Sequence, residues 1–281
     1  GHAQVSSLFL FPVYKSHQSL TPFHTLFPVP HHFDKGADTG RHFQQVVEAL
    51  PPLLPPRGVR ILCSPYLRCI QTATPTSQAL GVPISLEEGL AECHFSQGYL
   101  PTVQQRWAYF PHLDLPYTRL YMPRANDDVH PQAGVGECES FPDGYFRRML
   151  RFAPIFTDFI DACNDGDVVI LFSHAASVAL VASLLGEDDV PWRMAPCGIF
   201  TLERNRESRM WSLIGEHGGE NAHVSSRSPG TFPWGFNEER RAKWMPIKRE
   251  IQKEEAQKGP AVSASTGASK SSSTAGAGDG E

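Results

Sequence analysis

The chain of 281 residues, 31.1 kDa, is 41% hydrophobic and 20% charged, enough for one large domain, or two small ones, with a sizeable buried core. Lys and Arg total 25 against 30 Asp and Glu, a formal net charge of −5, so the global basic footprint of a nucleic-acid binder is absent and no direct nucleic-acid binding is expected. No apolar run reaches the roughly 18 residues of a transmembrane helix, and the six cysteines lack C-x-x-C spacing; no membrane segment, disulfide framework or zinc ribbon is expected, and the default compartment is reducing, cytoplasmic or nuclear.

In chain order, Val5 to Phe33 is apolar, studded with Pro and His, and free of a period of 2 or 3.6. Within it Ser7–Val13 (SLFLFPV) suits a short strand but lacks the length and flanks of a signal peptide. Six of the 12 histidines fall within residues 1–42. His31 and His32 invite a metal reading, yet no Cys, Asp or Glu stands at ligand spacing on a regular element, so no metal and no cofactor is expected. Arg41–Leu50 has Phe43, Val46, Val47 and Leu50 at helical spacing, with Asp38 or Thr39 as cap and Pro51-Pro52 as stop.

Val59–Cys63 (VRILC) reads as a buried strand, Leu67–Leu80 as a helix with Gly81 as its C-cap, and Val82–Leu86 as a second strand. Residues 94–135, rich in Pro and aromatics, look like a long insertion over a site. Tyr145–Ala162 is strongly amphipathic, with Phe146, Met149, Leu150, Ile155, Phe156, Phe159 and Ile160 on its apolar face. Asp167–Phe172 (DVVILF) is apolar throughout, the pattern of a central parallel strand. Ala176–Leu185 reads as a helix ended by Gly186, and Gly198–Glu203 and Met210–Ile214 as late strands. Asn237–Gln257 is dense in charge, a solvated surface helix that Pro246 would break or kink. Lys258–Glu281, almost all Gly, Ala, Ser and Thr, cannot bury enough apolar surface to order itself.

Strand and helix in alternation predict an α/β domain of three layers, a mostly parallel sheet with helices on both faces. The expected organisation is an atypical N-terminal segment over 1–37, the α/β domain over 38–236, a charged helix or linker over 237–257 and a disordered tail over 258–281.

In such sheets ligands sit beyond the carboxyl ends of the strands. One strand end runs Cys63-Ser64-Pro65-Tyr66-Leu67-Arg68, which puts Arg68 in the first turn of the next helix, where a guanidinium and the helix N-terminus can face one anion. The other runs Phe172-Ser173-His174-Ala175, which puts His174 at a strand-to-helix junction. Taken singly, Arg68 suits a surface ion pair and His174 a helix start; together they suggest an oxyanion pocket. After the second strand come Glu87, Glu88 and Glu92; Glu92, beyond the Gly89 turn, is placed to protonate a leaving alkoxide, whereas Glu87 and Glu88 read as solvated strand-end charges.

These motifs resemble, in the right order, the histidine phosphatase or phosphoglycerate mutase-like superfamily. SPYLRCIQTA (Ser64–Ala73) is similar to its S-P-x-x-R-x-x-Q-T-A box, EEGLAE (Glu87–Glu92) to its E-x-G-L-x-E segment, GECESFPDGYFRR (Gly136–Arg148) to its helix-entry segment, and LFSHAASV (Leu171–Val178) to its second-histidine strand. The long insertion and Trp234-Gly235-Phe236 resemble the eukaryotic branch that holds the suppressor of T-cell receptor signalling phosphatases and a small subunit of transcription factor IIIC.

The resemblance implies attack on a phosphomonoester, small molecule or phosphoprotein, by a histidine that becomes phosphorylated, without a metal. It makes Arg68 a phosphate clamp, His174 the second pocket histidine and Glu92 the proton donor. It also implies a nucleophile in an Arg-His-Gly motif, and this sequence has none; Arg41-His42 is followed by Phe43. Because the motif often continues as Gly-His-Ala, Gly1-His2-Ala3 is read as its remnant, with the first strand lost and Val5–Phe33 as translated non-coding sequence. On that reading the chain lacks the nucleophile and the sheet's central strand; His2, at a terminus with no strand before it, is a poor substitute. The alternative is a non-catalytic subunit of a protein assembly such as a transcription factor IIIC-like complex.

Overall fold

The computed structural model describes residues 5–12, 58–92, 103–122, 142–186, 192–194, 198–220 and 234–257, of which 5–12, 215–218, 220 and 234 as backbone. The expected helix Arg41–Leu50, His31, His32, Arg41-His42 and the tail 258–281 lie outside them. The strands are β1 (Val5–Pro12), β2 (Val59–Cys63), β3 (Ile84–Leu86), β4 (Val168–Ser173), β5 (Arg193–Met194), β6 (Ile199–Asn205), β7 (Met210–Glu220) and β8 (Trp234–Gly235). The helices are α1 (Leu67–Leu80), α2 (Val103–Trp107), α3 (Asp143–Asp161), α4 (Val178–Leu185), α5 (Glu238–Arg241) and α6 (Trp244–Gln257).

The main sheet runs β3-β2-β4-β1-β6-β7, with β3, β2, β4 and β1 parallel and β6 and β7 antiparallel to their neighbours. β4 is central and alternates strictly: Val169 and Leu171 join one hydrophobic cluster, Ile170 and Phe172 the other. That is why its sequence reads apolar throughout, since both faces of the sheet are covered. α1 packs on one face through Cys69, Ile70 and Ala73. α3, α4 and α6 cover the other.

The expected loss of the central strand is corrected. Val5–Pro12 lies between β4 and β6, parallel to the former (Leu10 opposite Leu171) and antiparallel to the latter (Leu8 opposite Leu202). It is thus an interior strand, with a ladder partner on each side.

α1 starts at Leu67 and ends at Leu80 as the sequence predicts, and Gly81 closes it with φ 65°, donating its N–H to the Ser77 carbonyl. The insertion does more than overhang a site. Its 112–114 backbone adds to the outer edge of β3, Ile84 N–H donating to the His112 carbonyl and Asp114 N–H to the Ile84 carbonyl, both at 2.8 Å. This covers a sheet edge whose polar groups would otherwise be unpaired.

The charged C-terminal segment is also corrected. It forms two helices: Asn237 caps α5, accepting from Arg240 N–H at 2.9 Å, and Pro246 falls in the first turn of α6, where no intrahelical N–H is lost. Trp244, Ile247 and Ile251 are buried, and Trp244 meets Phe146 and Trp192 edge-on at 5.1 and 5.0 Å between ring centroids. Arg147–Glu250 and Arg151–Glu254 ion pairs, at 2.7 and 3.1 Å, line the rim of this contact with α3.

Candidate functional site

β2 and β4 are adjacent and parallel, so the loops that follow them leave the sheet side by side. Ser64 N–H donates to the Phe172 carbonyl at 2.8 Å and ties the two strand ends together. This register carries Arg68, from the first turn of α1, onto His174 at the end of β4. Arg68 Nη2 is 2.7 Å from His174 Nδ1 and 3.2 Å from Glu92 Oε2, and His174 Nδ1 is 3.4 Å from Glu92 Oε2. The three residues singled out from three separate segments thus meet at one point.

Burial grades the cluster. The His174 side chain is 0% exposed, while those of Arg68 and Glu92 keep 21% and 25%, so the pocket opens on the Arg68–Glu92 side. Tyr66 forms one wall: its ring lies edge-on to His174 at 5.1 Å, and the Arg68 guanidinium carbon sits 4.8 Å from its centroid. Arg68 Nε is buried and has no hydrogen-bond acceptor among the described residues.

Four contributors escape the sequence reading. Ser64 Oγ is 2.7 Å from His174 Nε2. Cys69 Sγ packs on the same ring, 3.5 Å from Nε2. Burial, the largest cause, pushes the Cys69 thiol up to about 12 and the Cys63 thiol well above its ordinary range, so both stay protonated and neither serves as a thiolate nucleophile. Arg148, wholly buried in α3, donates Nη1 to the carbonyls of Glu88, Gly89 and Ala91 and Nη2 to that of Glu92, the last two at 2.7 and 3.2 Å. It thereby sets the turn that presents Glu92. The available signal is an arginine in register with Tyr145 and Phe152 on an apolar helix stripe.

The fourth is Glu87, and here the expectation of a solvated charge is wrong. Its side chain is fully buried and accepts from Gly89 N–H (2.9 Å), the Tyr117 hydroxyl (2.9 Å), Leu120 N–H (2.7 Å) and Tyr121 N–H (3.2 Å). It anchors the insertion to the end of β3. Burial is the first cause acting on its carboxyl and holds it above the usual range, against the pull of those donors. Glu88 differs, with a fifth of its side chain exposed and Arg119 at 3.5 Å. Of the aromatics in the insertion, Trp107 and Tyr109 are exposed, while Tyr117 is spent on Glu87. Arg106, also buried, donates to the Pro65 carbonyl and so braces the loop ahead of Arg68.

A buried imidazole, an anchored guanidinium and a partly exposed carboxyl at the end of two parallel strands suit a tetrahedral oxyanion with one protonatable ester oxygen. A family model described as the histidine phosphatase superfamily (branch 1) matches residues 39–216. No curated protein sequence matches the chain. Solved structures that resemble it include YhfR of Bacillus stearothermophilus, 14% identical with a TM-score of 0.46 over 78% of this chain and 100% of that one. Another is the mycobacterial glucosyl-3-phosphoglycerate phosphatase with inorganic phosphate, 17% identical with a TM-score of 0.44 over 79% and 100%. A third is phosphoserine phosphatase of Entamoeba histolytica with 3-phosphoglyceric acid, 14% identical with a TM-score of 0.41 over 78% and 99%.

Proposed function

The chain belongs to the histidine phosphatase superfamily (branch 1), and from that premise we propose that its Arg68–Glu92–His174 cluster is a phosphomonoester pocket. Supporting this is the convergence of a guanidinium, an imidazole and a carboxyl within 3.4 Å at the ends of β2 and β4. In this reading Arg68 clamps the non-bridging phosphoryl oxygens. His174 is the second contact to the phosphoryl group. Incoming phosphoryl oxygens take Arg68 from Glu92, whose carboxyl turns to the bridging oxygen and delivers the proton that the leaving alkoxide needs. The ester is a small molecule or the phosphorylated side chain of a protein.

Transfer by the family's route also needs a histidine nucleophile in Arg-His-Gly, which these 281 residues do not contain. The proposal is therefore that this chain binds phosphomonoesters with little or no turnover, and that hydrolysis through a phosphohistidine belongs to a form carrying the motif. The absence of the motif equally favours a second reading, a non-catalytic binding subunit of a protein assembly such as a transcription factor IIIC-like complex.

The test is p-nitrophenyl phosphate hydrolysis between about pH 5 and 8, alongside calorimetric titration with a blocked phosphoserine peptide. The expected result is binding without release of p-nitrophenol. Arg68→Ala weakens that binding on the order of 100-fold, the loss of charge-assisted contacts to an anion. Hydrolysis abolished by both Arg68→Ala and His174→Ala excludes the scaffold reading and overturns the account of the missing nucleophile. No binding at all overturns the pocket.

A further inference from the structure

The hydrogen bonds around His174 give Ser64 a defined task. A guanidinium is donor on every nitrogen. Arg68 Nη2 at 2.7 Å from His174 Nδ1 therefore requires a lone pair on Nδ1. A neutral imidazole with an unprotonated Nδ1 carries its hydrogen on Nε2, and Nε2 is 2.7 Å from Ser64 Oγ, which accepts it. The hydroxyl is wholly buried, so it is a fixed acceptor that water does not replace. Cys69 Sγ against the same ring and Tyr66 edge-on to it hold the ring plane in place.

The consequence concerns what the pocket must do when an anion arrives. An unprotonated Nδ1 and a phosphoryl oxygen are both acceptors and repel each other. The groups facing the ring include Arg68 and Cys69 from α1, Ser64 and Tyr66 ahead of it, and Glu92. Arg68 can leave Nδ1 for the phosphoryl oxygens. Nδ1 then lacks a hydrogen to offer them, and a proton supplies it.

We infer that Ser64 is a positioning residue that fixes His174 as its Nε2–H tautomer, and that a phosphomonoester dianion enters together with one proton, which goes to His174 Nδ1. The balance is simple. ROPO₃²⁻ and one H⁺ from solvent or buffer give ROPO₃²⁻ held by imidazolium and guanidinium, and no covalent bond forms or breaks. In the loaded pocket Ser64 still accepts from Nε2–H, so the same hydroxyl supports both charge states while the new N–H points at the anion. The second half of this inference rests on the proposed phosphate pocket; the first half does not.

The experiment uses the full chain. In the ligand-free protein labelled with ¹⁵N-histidine, long-range ¹H–¹⁵N spectra, assigned through His174→Gln, report a pyridine-type Nδ1 and a pyrrole-type Nε2. A pyrrole-type Nδ1 or an imidazolium at neutral pH overturns the tautomer assignment whether or not any ester binds. Titration with the blocked phosphoserine peptide, whose second pKa is about 6 and which is a dianion near pH 8, is run in buffers of different ionisation enthalpy. The expected result is uptake of about one proton per ester bound, with Nδ1 becoming pyrrole-type. Binding without proton uptake overturns the coupled entry. Absence of binding overturns the phosphate pocket and leaves the tautomer result standing.

Ser64→Ala removes the acceptor and barely changes volume. It is expected to mix the two tautomers and weaken peptide binding about ten-fold, and Ser64→Thr, which keeps the hydroxyl, is expected to restore both. An Ala variant with unchanged tautomer and unchanged affinity overturns the role of Ser64.

Discussion

Glu87 and Glu92 stand five positions apart, and the protein uses them in opposite ways. Glu87 is sealed beneath the insertion and surrounded by three backbone N–H groups and a phenol. Glu92 keeps a quarter of its side chain in solvent and faces a guanidinium and an imidazole. The first neighbourhood is fixed by donors that the fold itself must satisfy, so its loss is a loss of structure. The second is held by exchangeable ion pairs, so its loss is a loss of chemistry. Carboxylates this close in sequence part company because Arg148 grips the turn between them through four carbonyls.

Four changes sharpen or break that contrast. Glu87→Ala leaves four buried or part-buried donors without an acceptor and is expected to cost about 3 kcal/mol, read from urea unfolding, with amide protection lost over 117–121 in hydrogen exchange. A cost near zero would make Glu87 a bystander. Gly89→Ala attacks the turn from the other side: its Cβ would stand 2.5 Å from the Phe152 ring, and about 2 kcal/mol of overpacking is expected from the same measurement. Glu92→Gln, by contrast, should leave stability within about 0.5 kcal/mol and tighten binding of a phosphate ester about three-fold, since an anion that competes for Arg68 is gone.

The smallest effect is on pH dependence. Glu87 is held above the ordinary carboxylate range, so its contribution is fully present below its unfolded value, about 4.3, and is lost as pH rises through its folded one. Asp161 and Glu250 are held below that range by hydrogen bonds from Arg204 and Arg147, so their contribution is present above about pH 4 and is lost as pH falls through their folded values. The terms oppose each other on the acid side. Glu87→Gln is therefore expected to steepen the loss of stability below about pH 5, measured as urea midpoint against pH.

Much of this was legible in the residues. The β2–α1 unit carries its own punctuation, VRILC ended by Ser-Pro and a helix closed by Gly81, and its boundaries are those the sequence predicts. Arg68, His174 and Glu92 were readable because strand ends in a parallel sheet must converge. Glu87 was not, because its partners Tyr117, Leu120 and Tyr121 come from a segment without period, and burial of a carboxylate leaves no local trace. α6 is hard to read for a related reason: its charges outnumber Trp244, Ile247 and Ile251, yet those three decide which face docks. Ser64-Pro65 in sequence marks the end of a strand, a backbone role that hides what the Ser64 hydroxyl does.

The position of β1 carries a consequence for how the molecule is made. Val5–Pro12 leaves the ribosome well before both of its ladder partners, Val168–Ser173 and Ile199–Asn205. At about 5–20 residues per second, that stretch waits on the order of ten seconds or more with its hydrogen-bonding groups unclaimed. Such long-range pairing is slow to form, and during biosynthesis it is the step most open to rescue by a chaperone or diversion into aggregates.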